Sequence, residues 1–407
     1  MDLVVRNARL MDLEGLWEIS VESGTVKHVS RSLPKSSGEE IDGEGGLLLP
    51  TFIEPHVHLD KILLGEELKE ATSIPEAREL VKEAKKKFTV DNVRARMERA
   101  IPWAVQNGVT EVRTHIDVDS IAKLASVEAT LKVRKKYEKV IDVQIVAFPQ
   151  EGLIRDSQAL ELVRKALELG CDVVGGMPEG ESSIEDARRH IDLMIELAQE
   201  KGLAIDVHCD VLPFGKNIEY YAAQSLKSGL GERSTADHLI ALSYYDDSYA
   251  SRIIDLIKKA SMNVVTNPCT MMTSGATDRT PTGRGITRVK ELLRAGVNVA
   301  FGSDNIVDPY NPLGDFNPLS NGFLLAYGAQ LSLLSDLESI VKMPTLNSSK
   351  ILGLRDYGIR AGCKADFNIF REKSVRELLR NHGRPRYVFK NGNKISENQT
   401  EAHSLLK

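Results

Sequence analysis

With 407 residues, 42% of them hydrophobic and 27% charged, the chain has the composition of a folded globular protein and is too long for one ordinary compact core. A net charge of −5 gives a polyanion no overall attraction, and the four cysteines, Cys171, Cys209, Cys269 and Cys363, make no C-x-x-C pair; nucleic-acid binding, a zinc ribbon and a disulfide scaffold are all disfavoured. No run of 18 apolar residues occurs and the first residues carry no signal-peptide pattern, so no membrane partner is expected and a reducing cytoplasm is the expected location.

Residues 1–50 read as short alternating strands: LVVRNARLMD, then LWEISVESGTVKHVS with a Ser23-Gly24 turn, then GLLLP. From Pro50 to about residue 354 apolar runs alternate with longer amphipathic segments, which predicts a parallel sheet wrapped by helices. The candidate strands are FIEPHVHL, GVTEVRTHID, VIDVQIVAFP, CDVVGGMP, LAIDVHCDV, STADHLIAL, MNVVTNPC and GVNVAFGSD, and eight is the number that closes a (β/α)8 barrel. Between the first two lies EARELVKEAKKKF, whose Lys85, Lys86 and Lys87 form the densest basic run; with Glu79 and Glu83 beside them, a solvated helix face is expected. The segment EDARRHIDLMIELAQEK predicts a helix stopped by Gly202. Beyond residue 355 short strands return in DYGIRAGCKADFNIF and RYVFKNGNKI, with Asn391-Gly392 as a hairpin turn. The expected fold class is therefore α/β, a TIM barrel over 51–354, with 1–50 and 355–407 forming one small discontinuous β-sandwich domain.

The chemistry-bearing residues gather at predicted strand ends, where barrel enzymes place their catalytic groups. His56 and His58 form an H-x-H pair whose period of two points both imidazoles to one side. His208 ends LAIDVHCD, His238 ends STADH and Asp304 ends VAFGSD. Three imidazoles and a carboxylate suit one divalent ion, Zn²⁺ or Fe²⁺, and such an ion supplies a hydroxide nucleophile at neutral pH.

The segments LPTFIEPHVHLDK, VRTHIDV, DVQIVAFPQEG, DVHCD, RGITRVKELL, VNVAFGSDNIVDP and NPLGDFNPL resemble the amidohydrolase superfamily, in the branch containing bacterial cytosine deaminase and N-isopropylammelide isopropylamidohydrolase. The resemblance runs through nearly the whole chain. It implies a mononuclear metal on His56, His58, His208 and Asp304, and a substrate-touching His238 that stabilises developing charge. It also implies that Gln150 reads the amide edge of a small heterocyclic substrate, for which a carboxamide with one donor and one acceptor face is suited. Because related barrels commonly assemble, it admits a homo-oligomer.

Two positions depart from cytosine deaminase. Val211 stands in His208-Cys209-Asp210-Val211 where a proton-shuttling glutamate is expected, and Asn305 replaces the second aspartate of a D-D pair that contacts substrate. Asp304 is then the remaining candidate base, with Lys61 in HLDK as a carbonyl-polarising or proton-donating group. The competing placement puts Lys61 at the surface, paired with Glu66 or Glu67. His115 in RTHID is expected to pack beneath the metal site. The reaction expected is hydrolytic loss of an exocyclic amine. The alternatives are removal of an alkylamine from a triazine or cyclic-amide opening, and a non-catalytic family member is opposed by the intact ligand set.

Overall fold

The computed structural model describes residues 1–212, 215–274 and 285–399. Arg284 of the RGITRVKELL segment and residues 400–407 of the expected terminal domain therefore lie outside the described residues.

The chain opens with β1 (Leu3–Leu10), β2 (Leu13–Glu22), β3 (Thr25–Ser30), β4 (Glu39–Asp42) and β5 (Leu47–Pro50). It continues through eight strands, β6 (Phe52–Val57), β7 (Val109–Asp117), β8 (Asp142–Phe148), β9 (Val173–Gly176), β10 (Ala204–Cys209), β11 (Ser234–His238), β12 (Asn263–Thr266) and β13 (Asn298–Phe301). It ends in β14 (Phe367–Ile369), β15 (Tyr387–Lys390) and β16 (Asn393–Glu397). Strands β6 to β13 pair in sequence order, each parallel to the next, and helices connect them. Every one of the eight expected barrel strands is present. Apolar side chains of their connecting helices, such as Ile191 and Met194 in Ile184–Lys201, join the barrel's main core. That helix ends at Gly202, whose φ of 70° only glycine adopts without strain.

The seam of the barrel falls at the candidate ligands themselves. The Asp304 amide donates to the His56 carbonyl at 2.8 Å, and the His58 amide donates to the Asp304 carbonyl at 2.9 Å. Closing the barrel thus fixes three of the four candidate metal ligands by main-chain bonds, which positions a site more rigidly than loop attachment does.

Both ends of the chain build the second sheet, ordered β16-β15-β14-β5-β1-β2-β3, with β4 paired to β1. The turn between β15 and β16 is Asn391-Gly392, both at positive φ, as a tight hairpin requires. Strand β4 was not expected: EEID is mostly exposed, and only Ile41 is buried, so its sequence carries no clear alternation.

One expectation fails. Lys85 is buried rather than solvated, because Ala77, Val81 and Lys85 recur every four residues along the helix Ile74–Lys85 and all face inward, while Lys86 and Lys87 beyond it are exposed. No described helix is long and apolar enough to cross a membrane.

Candidate active site

Ligand atoms of His56, His58, His208 and Asp304 all lie within 4.8 Å of one another and all four residues are buried. Asp304 Oδ1 sits 3.4 Å from His56 Nε2 and 3.3 Å from His58 Nε2. His58 Nε2 and His208 Nε2 are 3.1 Å apart. Burial, with Lys61 next to it, pushes His58 down to about 3, and burial with the surrounding imidazoles holds His208 well below the usual range. Two neutral imidazoles whose Nε2 atoms meet at this distance either share one ring proton in an N–H···N bond or, with both Nε2 atoms unprotonated, face a common cation; with His56 and Asp304 converging on the same point, the donor set fits a divalent ion. His58 Nδ1 lies 3.2 Å from both the His115 backbone carbonyl and Lys61 Nζ; the tautomer that carries its proton on Nδ1 donates to that carbonyl and leaves Nε2 to face the ion.

Left-handed backbone recurs at this rim, at His238 with φ 68° and Asp304 with φ 61° and at the neighbouring Asp210, Leu239 and Val307. Non-glycine residues held there cost about 1–3 kcal/mol each and cluster at functional sites. The strain also explains a residue that sequence reasoning missed. Consecutive strand residues point to opposite faces, so only one of Asp237 and His238 is expected inside the barrel. The turn at His238 breaks that alternation, and both are buried beside the cluster, with Asp237 Oδ2 2.9 Å from His56 Nδ1.

Beneath the cluster runs a polar column. His115 Nε2 lies 3.2 Å from Asp206 Oδ1 and 3.4 Å from Asp237 Oδ2, and Arg113 Nη1 donates to Asp206 Oδ2 at 2.7 Å. Burial and Asp206 push Asp237 up to about 6. For His56 burial alone would depress the imidazole, yet Asp237 and Asp304 outweigh it and raise it to about 10. His115 therefore packs under the candidate ligands as expected, although its ring also completes a second buried grouping with His56, His208 and Asp237.

A cavity of about 60 Å³ opens over the ligands, lined by Lys61, Arg78, Phe148, Gln150, Met177, Val211, His238, Asn305 and Tyr310 among others. Lys61 is buried, with Nζ 2.8 Å from Asp117 Oδ1 and 2.5 Å from Gln150 Oε1. The surface pairing with Glu66 does not form; Glu66 bonds Arg99 instead. Lys61 occupies the carbonyl face of Gln150 and so leaves the carboxamide's NH₂ for a ligand. Asn305 donates through Nδ2 to Asp308 at 2.5 Å, which turns its carbonyl into the free polar face. His238 Nδ1 lies 3.1 Å from Asn267 Nδ2, while its Nε2 has no hydrogen-bond partner. With Asn267 donating, Nε2 carries the proton. Burial drives His238 down to about 3, so the ring is neutral. Phe148 stacks on His208 at 4.2 Å and joins Met177, Val211, Ile240 and Met271 in an apolar wall.

Support from behind the ligands comes from Glu54, which accepts from the Ser303 amide and hydroxyl and from the His56 amide. Gly302 sits in this crowd: a Cβ there would lie 2.6 Å from the His56 carbonyl oxygen and 2.7 Å from Glu54 Oε1. Gly302→Ala is therefore expected to displace His56 and lower metal content after reconstitution, measured by elemental analysis; full occupancy would show that the strand end can yield.

The comparisons with known proteins agree with this geometry. The amidohydrolase family model matches residues 62–394. The chain is 30% identical to N-isopropylammelide isopropyl amidohydrolase of Pseudomonas sp. (strain ADP), covering 98% of both chains. It is also 30% identical to pterin deaminase of Rhizobium rhizogenes, covering 96% of this chain and 91% of that protein. Among solved structures, 5-methylcytosine deaminase from Klebsiella pneumoniae liganded with 5-fluorocytosine superposes with a TM-score of 0.94 at 32% identity, covering 98% of this chain and 99% of that one. A barrel whose strand ends bring three histidines and an aspartate together, matched over this length, belongs to the amidohydrolase family.

Proposed function

We propose that this chain is a hydrolytic deaminase that removes an exocyclic amine from a small nitrogen heterocycle, using one Zn²⁺ or Fe²⁺ ion on His56, His58, His208 and Asp304. The carrying observation is the convergence of those four donors beneath a small cavity that Gln150, Asn305 and His238 line. The reading agrees with the names of the relatives, which specify deamination of pterin and 5-methylcytosine and hydrolysis of N-isopropylammelide. When bound, the ion supplies a hydroxide nucleophile at neutral pH.

The chain's own groups do the rest. Asp304 turns Oδ1 toward His56 and His58, and Oδ2, 4.0 Å from His238 Nδ1, is the oxygen left to accept the proton of the attacking water. The neutral Nε2–H of His238 donates to the charge that develops at the attacked carbon's substituent. Gln150, fixed by Lys61, offers its NH₂ to a ring carbonyl, and Asn305 offers a carbonyl to a ring N–H. Lys61, held by Asp117, polarises the same ring edge. The apolar wall of Phe148, Met177, Val211 and Met271 covers a ring face and excludes water. Because Val211 cannot shuttle a proton, Asp304 both takes the water proton and passes it to the departing amine.

Amine release by metal-reconstituted protein should be assayed across cytosine, 5-methylcytosine, pterin, ammelide and N-alkyl ammelides. Metal-dependent release from at least one ring is expected. Silence across the panel from protein of confirmed metal content would overturn exocyclic deamination and favour cyclic-amide opening.

A further inference from the structure

The cavity over the ligands adjoins a second, larger one of about 200 Å³, and the two share Arg78, Gln150 and Met177. Arg78 and Lys82 lie one helical turn apart on Ile74–Lys85, both half-buried and both lining the larger cavity. Among the described residues neither side chain makes a direct hydrogen bond or a contact ion pair, although Arg78 lies close enough to Glu179 and Tyr310 for its charge to lower the proton affinity of both. The acidic groups that face them are otherwise engaged or in solvent. Glu151 is bonded by Lys85 and lies near Arg155, Glu179 accepts from the Val211 and Leu212 amides, and Glu79 is exposed. A guanidinium with no direct hydrogen bond at the junction of the two cavities is positioned for an oxyanion, which its planar fork can hold through two bonds.

We propose that the substrate ring carries an anionic substituent, a carboxylate or phosphate, which passes Gln150 and Met177 into the larger cavity and is bound there by Arg78, with Lys82 behind it. The inference rests on the deaminase reading and narrows its substrate class. The amine-bearing carbon lies over the candidate ligands, and the oxyanion on the far side of the ring sets orientation. Neutral rings are then poorer substrates because they leave Arg78 unpaired.

The test compares 5-methylcytosine with 5-carboxycytosine, and pterin with pterin-6-carboxylate and the phosphate ester of 6-hydroxymethylpterin, on metal-loaded wild type, Arg78→Met and Arg78→Lys. Titration calorimetry with the corresponding oxo compounds measures binding without turnover. Wild type is expected to favour an anionic member by about tenfold to a hundredfold in kcat/KM and in affinity. R78M should erase that preference and R78K retain part of it; whichever anion is preferred identifies the group. Amine release with no anion preference, or with one that survives R78M, overturns this inference and leaves the deaminase reading standing. Arg78-dependent binding of anionic rings with no amine released from any ring supports the inference and overturns the deaminase reading.

Discussion

Asp304→Asn is expected to lower kcat/KM for amine release by about 10³-fold or more, the upper part of the range for losing a general base. The asparagine fits the same volume and keeps one oxygen, so the barrel should survive. What it removes is charge: in the native chain a carboxylate lies 3.4 Å from His56 and 3.3 Å from His58, and those contacts hold it well below its usual range despite burial. A neutral amide cannot take up the proton of the attacking water, and it contributes less to a divalent ion than a carboxylate does. Measuring bound metal alongside kcat separates the two effects. Variant protein that holds a full equivalent of metal yet loses turnover places the base at Asp304. Variant protein that keeps turnover would show that a group other than Asp304 accepts the proton.

How much of this site could be read from sequence follows from where each residue sits. His56 and His58 were legible as an H-x-H pair at the end of an apolar run, although the pairing of β6 with β7 shifts register between Glu54 and Val57, and His208 and Asp304 because each ends an apolar run that reads as a barrel strand. Val211 was legible as a departure, since it stands three residues after His208 within DVHCDV. Asp237 was not, because taking His238 as the inward residue assigns its neighbour to the opposite face, and only the positive φ of His238 brings both to the site, a conformation that no composition or spacing announces. Lys85 was misread for a related reason. In a run of three lysines after two glutamates the charges outweigh the four-residue spacing of Ala77, Val81 and Lys85, and only the acidic residues of β7 and its loop reveal why an ammonium goes inside. Arg78 sits on the same helix and shares that disguise. The eight strands were legible as a set because a parallel barrel buries both faces of each strand, which produces continuous apolar runs. The short β4 buries one residue and produces none.

Lys85→Met is expected to be among the most destabilising single changes outside the ligand cluster, at about 3–5 kcal/mol, the cost of leaving buried charges without their partner. The ammonium lies 3.0 Å from Asp117, 2.5 Å from Asp119 and 3.0 Å from Glu151, and both aspartates are fully buried. Burial acts to lower its proton affinity, but the three carboxylates prevail and raise it well above the ordinary lysine value. Removing it leaves Asp117 to Lys61 alone and leaves Asp119 to the Ile121 and Ala122 amides. Chemical denaturation followed by circular dichroism reads the loss as a shift in midpoint. Lys86→Met, one residue on, removes an exposed ammonium paired with Glu83 and should stay within about 0.5 kcal/mol of wild type. Adding Asp119→Asn to Lys85→Met should recover part of the loss, since the second change removes one of the charges the first one orphaned. The functional consequence travels through Asp117, which holds Lys61, which in turn fixes Gln150. In the Lys85 variant KM should therefore rise while metal content stays whole. Equal stability of the Lys85 and Lys86 variants would mean that water reaches Asp117 and Asp119 once the lysine is gone, and the rigid hold on Gln150 would then have to come from Lys61 and Asp117 alone.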